Sequence, residues 1–139
     1  MPPALTLPRQ IRFSAQHKLL AASLAFFTLV NPALASNFGG YLIDRACAEG
    51  LKHESKNVDS QVQRHTTVCA LSADCSEAGY SLYKDGKFID LDSKGNALAK
   101  TYFQTSKRKD GHFVTVTGDL KRDVLATTAI KEAPPPALP

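Results

Sequence analysis

The stretch Tyr80 to Leu91, YSLYKDGKFIDL, most constrains the fold, because two β-prone runs flank the dipeptide Asp85-Gly86. Asp-Gly supplies the positive φ angles of a type I′ turn, whose twist matches that of paired antiparallel strands. A two-residue turn there fixes the register, so that Lys84 faces Lys87, Tyr83 faces Phe88, Leu82 faces Ile89 and Tyr80 faces Leu91. Tyr80, Leu82, Ile89 and Leu91 then share one face, assigned to the core. Tyr83 and Phe88 pair on the other.

The flanking segments follow from this hairpin outwards. Tyr41-Leu42-Ile43, after Gly39-Gly40 and before Asp44-Arg45, reads as a first strand whose glycines allow a bend or bulge. Cys47 to Ser60 turns polar and reads as an excursion over the surface. Ser60 to Leu71 has the pattern of a short helix capped by Asp59 or Ser60 with Val62, Val68 and Leu71 inward, although the β-branched run Thr66-Thr67-Val68 opposes it. After the hairpin, Asp92 to Gly95 reads as a turn. Asn96 then caps a helix over Ala97–Ser106 with Leu98, Tyr102 and Thr105 on its inner side, ending in the cations Lys107-Arg108-Lys109 that suit a helix C-terminus. Phe113–Thr117 and Val124–Ile130 close as a hairpin around Lys121-Arg122-Asp123.

The predicted fold class is therefore mainly β within the α+β class: five strands, with one helix between the third and fourth. That is the element order of an OB-like, partly open barrel. A helix packed on an antiparallel sheet is the competing topology.

The N-terminus reads as a leader. Arg9, Arg12 and Lys18 precede an uncharged run from Leu19 to Val30, followed by Ala33-Leu34-Ala35, which is a basic region, an apolar region and a small-x-small cleavage site. The expected division is residues 1–35 as a Sec-type signal peptide, 36–131 as a single β-rich domain and 132–139 as a disordered Pro-rich tail. The apolar run is shorter than the roughly 20 residues a membrane-spanning helix needs, so no transmembrane segment is expected in the mature chain. Periplasmic or extracellular localisation follows. Of the 17 basic residues against 13 acidic, Arg9, Arg12 and Lys18 belong to the leader, which leaves the mature chain at +1. A general attraction to nucleic acid or anionic lipid is thereby excluded as a reading of the alkaline pI.

The chemistry concentrates in His65 to Tyr80, HTTVCALSADCSEAGY, together with Cys47. In an oxidising compartment Cys47, Cys69 and Cys75 are read first as one disulfide plus one odd thiol, with Cys47 as a partner of Cys69 or Cys75. Such a bridge adds roughly 3 kcal/mol by chain-entropy reasoning, useful to a small core. The alternative is a zinc or copper site built from Cys47, His65, Cys69 and Cys75, since a Cys₃His set is of the size zinc prefers and thiolates suit copper(I). On a helix, His65 and Cys69 would lie four residues apart on one face. A third reading makes Cys69 a nucleophilic or redox thiol activated by His65. His53 and His112 read as solvated surface histidines. The aspartates Asp85, Asp90, Asp92 and Asp110 read as turn chemistry rather than a calcium loop.

No catalytic residues are assigned: paired carboxylates, a Ser-His-Asp arrangement, a phosphate loop and a cofactor fingerprint are all unreadable here. The outer pair Tyr83 and Phe88 is a candidate ligand platform, of the kind that stacks bases or sugars on an OB barrel, or else a cross-strand pair covered by the segment 48–60.

The pieces Gly40-Tyr41-Leu42-Ile43-Asp44 with Cys47, His65-Thr66 with Cys69-Ala70-Leu71 and Cys75, Gly79-Tyr80, Asp85-Gly86-Lys87-Phe88 and Gly95-Asn96 resemble a group of small exported bacterial proteins of uncharacterised function. The resemblance spans roughly residues 40–130 and implies a compact, OB-like domain of the cell envelope. It departs at Ala78, where a small hydroxyl residue is expected, and in a final turn that lacks glycine. The expectation is an exported, disulfide-stabilised binding or accessory module without catalysis of its own, its partner an envelope protein, a glycan or a small ligand, and not nucleic acid.

Overall fold

The structure, a computed structural model, describes residues 35–54 and 56–137. The expected leader, apart from its last residue, lies outside them, as do the last two residues of the expected tail. Among the described residues no helix is long and apolar enough to cross a membrane.

This is a small α+β domain. Strand β1 (Ser36–Asp44) leads into four short helices, α1 (Arg45–Lys52), α2 (Val58–Gln63), α3 (Thr67–Ala70) and α4 (Ala73–Ala78). The hairpin β2 (Tyr80–Lys84) and β3 (Lys87–Leu91) follows, then α5 (Ser93–Thr105), then β4 (Phe113–Lys121) and β5 (Val124–Glu132). The five strands form one mixed sheet that returns on itself in the order β1-β2-β3-β5-β4, with β4 pairing back onto β1. All pairs are antiparallel except β3 with β5.

The predicted hairpin register is the one found, with Lys84 opposite Lys87, Tyr83 opposite Phe88 and Leu82 opposite Ile89. Asp85 and Gly86 take φ of 49° and 76°, as a type I′ turn requires. The closing hairpin is longer than the sequence implied, because β4 continues past Thr117 through a bulge at Gly118 and β5 runs through Glu132. Its turn is made without glycine by Arg122 at φ 58°. The segment expected as a tail from 132 is tied down at its start: Ala133 N–H donates to the Phe113 carbonyl at 3.1 Å, and Arg108 pairs with Glu132 at 3.0 Å.

Inside the ring lie Leu42, Tyr80, Leu82, Leu91, Val114, Val116 and Leu125, closed at one end by Ala99 and Phe103 of α5. Helix α5 starts four residues earlier than predicted. Asp92 is its cap, accepting from Gly95 N–H at 2.8 Å, and Gly95 is needed where the helix meets β5, since a Cβ there would stand 2.5 Å from Thr127 Oγ1. The inner face is consequently Gly95, Ala99 and Phe103, and Thr105 is exposed.

A second, smaller core explains the excursion after β1, which is helical rather than irregular. Ala48 and Leu51 of α1 and Val62 of α2 pack on Ile43 and Tyr83, with Phe88 at the edge. Two buried residues three positions apart on α1 and a single one on α2 give each helix only a narrow inner stripe. The single helix expected over 60–71 is in fact α2 and α3, separated at Arg64–Thr66: Arg64 closes α2, and Thr66 caps α3 by accepting from Cys69 N–H at 3.2 Å.

Candidate functional site

Three helix starts converge below the end of β1. Asp44, the last residue of β1, caps α1 by accepting Cys47 N–H at 2.8 Å. Thr66 caps α3 in the same way, and Ser72 precedes α4 as its capping residue. Each cysteine is thus the third residue of its helix: Cys47 of α1, Cys69 of α3, Cys75 of α4. Because Cβ atoms tilt toward the helix N-terminus, side chains in the first turn reach back over the cap, and here they reach toward one another.

Neighbouring contacts hold the three starts in place. Arg45 N–H donates to Gly79 O at 2.8 Å, tying the first residue of α1 to the end of α4. The Tyr80 hydroxyl donates to Ala70 O at 3.0 Å, and Thr67 bonds Lys109 O and Arg108 O through its N–H and Oγ1, fixing α3 against β2 and the segment after α5.

The outcome is a compact donor set. One carboxylate oxygen of Asp44 and the Sγ atoms of Cys47, Cys69 and Cys75 all lie within 4.8 Å of one another. Cys47 Sγ and Cys69 Sγ are 3.6 Å apart, a contact between free thiols and well beyond the ~2.05 Å of a disulfide bond. A pocket of about 290 Å³ opens beside the cluster, with Cys47 and His65 on its wall and Glu54 and Gln61 hydrogen-bonded at its rim.

Asp44 is the member of this set that the sequence did not reveal. It is fully buried, and besides capping α1 it holds His65, whose Nε2 lies 2.6 Å from Asp44 Oδ2. Of the expected set, Cys47, Cys69 and Cys75 are brought together, with Asp44 as the fourth member of the group, while His65 bonds the carboxylate and is not within the same 4.8 Å. The reason is the break between α2 and α3, which removes the helical face that would have aligned His65 with Cys69.

The electrostatics follow from this geometry. Burial pushes the Asp44 carboxyl up, but the hydrogen bonds from His65 and Cys47 N–H more than reverse it and hold it below the usual carboxylate range. Burial and the Asp44 charge push the Cys47 thiol up. At Cys75 the hydrogen bond with Ser72 pulls down, yet burial and Asp44 together push the thiol up. Two half-buried thiols raised beside an ionised carboxylate are weak nucleophiles near neutral pH; a cation placed among them would reverse that penalty.

The other predicted residues fall elsewhere. Tyr83 and Phe88 lie with ring centroids 4.8 Å apart and planes tilted by 47°; Tyr83 is 7% exposed, packed with residues of α1 and α2, and its hydroxyl donates to Asp59 Oδ1 at 2.6 Å, while Phe88 is half-buried. The two face each other across the hairpin as the register requires. His53 is exposed as expected. His112 is not, being 1% exposed between Thr67 Oγ1 at 3.0 Å and the Tyr102 hydroxyl at 3.2 Å. Burial first, then the charges of His65 and Arg108, lower its pKa.

No protein-family model, curated protein or solved structure matches the chain.

Proposed function

We propose that this chain is a small exported domain that binds a thiophilic metal ion, zinc or copper(I), through the cluster at the start of α1, α3 and α4. The observation that carries the reading is the convergence of four donor atoms within 4.8 Å from four separate elements, β1, α1, α3 and α4. Local sequence proximity does not produce this, since Cys47 and Cys69 are 22 residues apart. Tetrahedral zinc with Zn–S bonds of about 2.3 Å places neighbouring sulfurs about 3.8 Å apart, close to the 3.6 Å between Cys47 and Cys69.

The scaffold reading is an OB-type barrel. It is supported by the strand order, by the parallel pairing of β3 with β5 and by α5 in the β3–β4 connection. The basic-apolar-small pattern of residues 9–35 supports export. In this reading the domain is an accessory that carries metal, and the scaffold itself performs no catalysis.

The 3.6 Å contact also favours a second reading, in which Cys47 and Cys69 are oxidised to a staple in an oxidising compartment and Cys75 is the odd thiol. One preparation separates the two. The protein is purified anaerobically without added chelator, and intact mass, thiols reactive under denaturation and bound metal are measured together. The metal reading expects three reactive thiols and one equivalent of metal, retained or taken up from zinc or copper(I). A mass lighter by two hydrogens, a single reactive thiol and no metal uptake would overturn it in favour of the staple.

A further inference from the structure

We propose that Asp44 is the fourth ligand of this site, completing a three-sulfur, one-oxygen shell for zinc, and that His65 is the positioning residue that aims its carboxylate. The inference rests on the metal reading above and adds to it the identity of the fourth donor.

Three features of Asp44 carry it. First, its carboxylate oxygen lies within the same 4.8 Å as the three sulfurs, whereas no ring nitrogen of His65 belongs to that set. Second, Asp44 is 0% exposed, and the cation next to it in sequence is engaged elsewhere: Arg45 pairs with Asp90 at 3.3 Å and donates to Leu91 O at 3.2 Å. A buried carboxylate is costly unless it is compensated; His65 compensates it at Oδ2, 2.6 Å away, and a metal among the sulfurs would add a second positive partner.

Third, its existing bonds orient it without exhausting it. Oδ1 takes the Cys47 N–H at 2.8 Å and Oδ2 takes His65 Nε2 at 2.6 Å, while each carboxylate oxygen retains a second lone-pair direction. Ligating carboxylates are characteristically held by such outer hydrogen bonds. His65 is itself enclosed, with Nδ1 buried and unpartnered among the described residues, so its ring serves Asp44 alone. One hard oxygen beside three thiolates suits zinc, while copper(I) is satisfied by the sulfurs.

The test compares wild type, Asp44→Asn, His65→Ala and His65→Gln, purified anaerobically and titrated with zinc, with copper(I) and with cobalt(II) as a spectroscopic stand-in for zinc. Asparagine caps helices as well as aspartate does, so the first variant keeps α1. The expected result is a zinc affinity about 100-fold or more weaker in Asp44→Asn, with altered cobalt ligand-field bands and copper(I) affinity unchanged. His65→Ala weakens zinc roughly 10–100-fold, and His65→Gln, whose amide can donate to Oδ2, recovers most of it. Equal zinc affinity and an unchanged cobalt spectrum in Asp44→Asn would overturn the assignment while leaving the metal reading intact. Failure of the wild type to take up any of the three metals removes both. Should Asp44→Asn lose its circular dichroism, the carbon shift of the Asp44 carboxylate in wild type decides: movement on zinc addition supports ligation, and an unmoved signal refutes it.

Discussion

Replacing Tyr83 by Phe removes one oxygen from beneath the helical excursion and leaves the ring's packing intact, so it isolates what holds α2 against the sheet. The hydroxyl donates to Asp59 Oδ1 at 2.6 Å from a side chain that is 7% exposed. A hydrogen bond to a charged acceptor contributes about 1.5–3 kcal/mol when both groups are buried. Asp59 is exposed and stays hydrated in the variant, which lowers the expected loss to about 1 kcal/mol near neutral pH. The same bond gives an alkaline readout. Burial, then the bond to Asp59 and its charge, push the Tyr83 phenol from 10 up to about 12. Between those values the unfolded chain has lost a proton that the folded chain keeps, so stability falls as pH rises through the window, by about 3 kcal/mol at most for this group. Tyr80, pushed up to about 12 by burial and then by Asp44 and Cys75, contributes with the same sign, so Tyr83→Phe flattens the alkaline limb without abolishing it. Urea denaturation followed by far-ultraviolet circular dichroism, at intervals from pH 7 to 11, measures both effects. A variant as stable as wild type at pH 7 and equally steep above pH 10 would refute the reasoning.

Further perturbations test the frame around the site. Gly40→Ala places a Cβ 2.5 Å from the Tyr83 carbonyl and 3.0 Å from the Leu82 side chain, in a strand paired on both sides, and is expected to cost about 3 kcal/mol or more. Gly39→Ala, whose nearest contact is Phe113 at 3.4 Å, costs under about 1 kcal/mol in the same denaturation assay. His112 is held below its ordinary 6.5 by burial first, so as pH falls below that value the unfolded chain gains a proton that the folded chain resists. Thermal midpoints should therefore fall from pH 7 toward the lowered folded value, and His112→Gln should shrink that fall; an unchanged profile argues against a buried neutral imidazole. Chelating the metal from protein loaded at a hundred times its Kd removes about 3 kcal/mol, which lowers the midpoint by roughly 10–20 °C for a domain of this size, reversibly on zinc return. A midpoint indifferent to chelator would show that the bound ion adds nothing to the fold.

The hairpin was legible because its determinants are adjacent: Asp85-Gly86 sets the turn, and the turn sets every pairing outward from it. The ring was legible only through element order, because β1 with β4 and β3 with β5 are long-range pairings that no turn encodes. The excursion after β1 was misread for a different reason. Helices of four to eight residues bury at most two side chains each, so Ala48, Leu51 and Val62 are outnumbered by the polar residues around them, and composition registers only the majority. The start of α5 was displaced because Asp-Ser-Lys-Gly has the local chemistry of a turn. Close packing of Gly95 on Thr127 overrides that preference, and it lies beyond any local reading.

The donor set carried a signal that counting cysteines and histidines passes over. Asp44-x-x-Cys47, Thr66-x-x-Cys69 and Ser72-x-x-Cys75 repeat one spacing, a capping residue three positions before a cysteine. A single instance is unremarkable, since capping residues are common. Three instances say that every cysteine of the chain sits in the first turn of a helix, where its side chain leans back over the cap. Helices arranged to bury their apolar sides against one sheet then bring those first turns together. Of the caps, Asp44 alone adds a fixed charge, and it belongs to β1, whose register is set by β2 on one side and β4 on the other. The position of the carboxylate is therefore determined by the sheet, and the three sulfurs come to it through the helices. His65 stands four residues before Cys69, a spacing that on one continuous helix would place the two on one face. The break before Thr66 instead turns it onto Asp44, whose Oδ2 lies 2.6 Å from its Nε2.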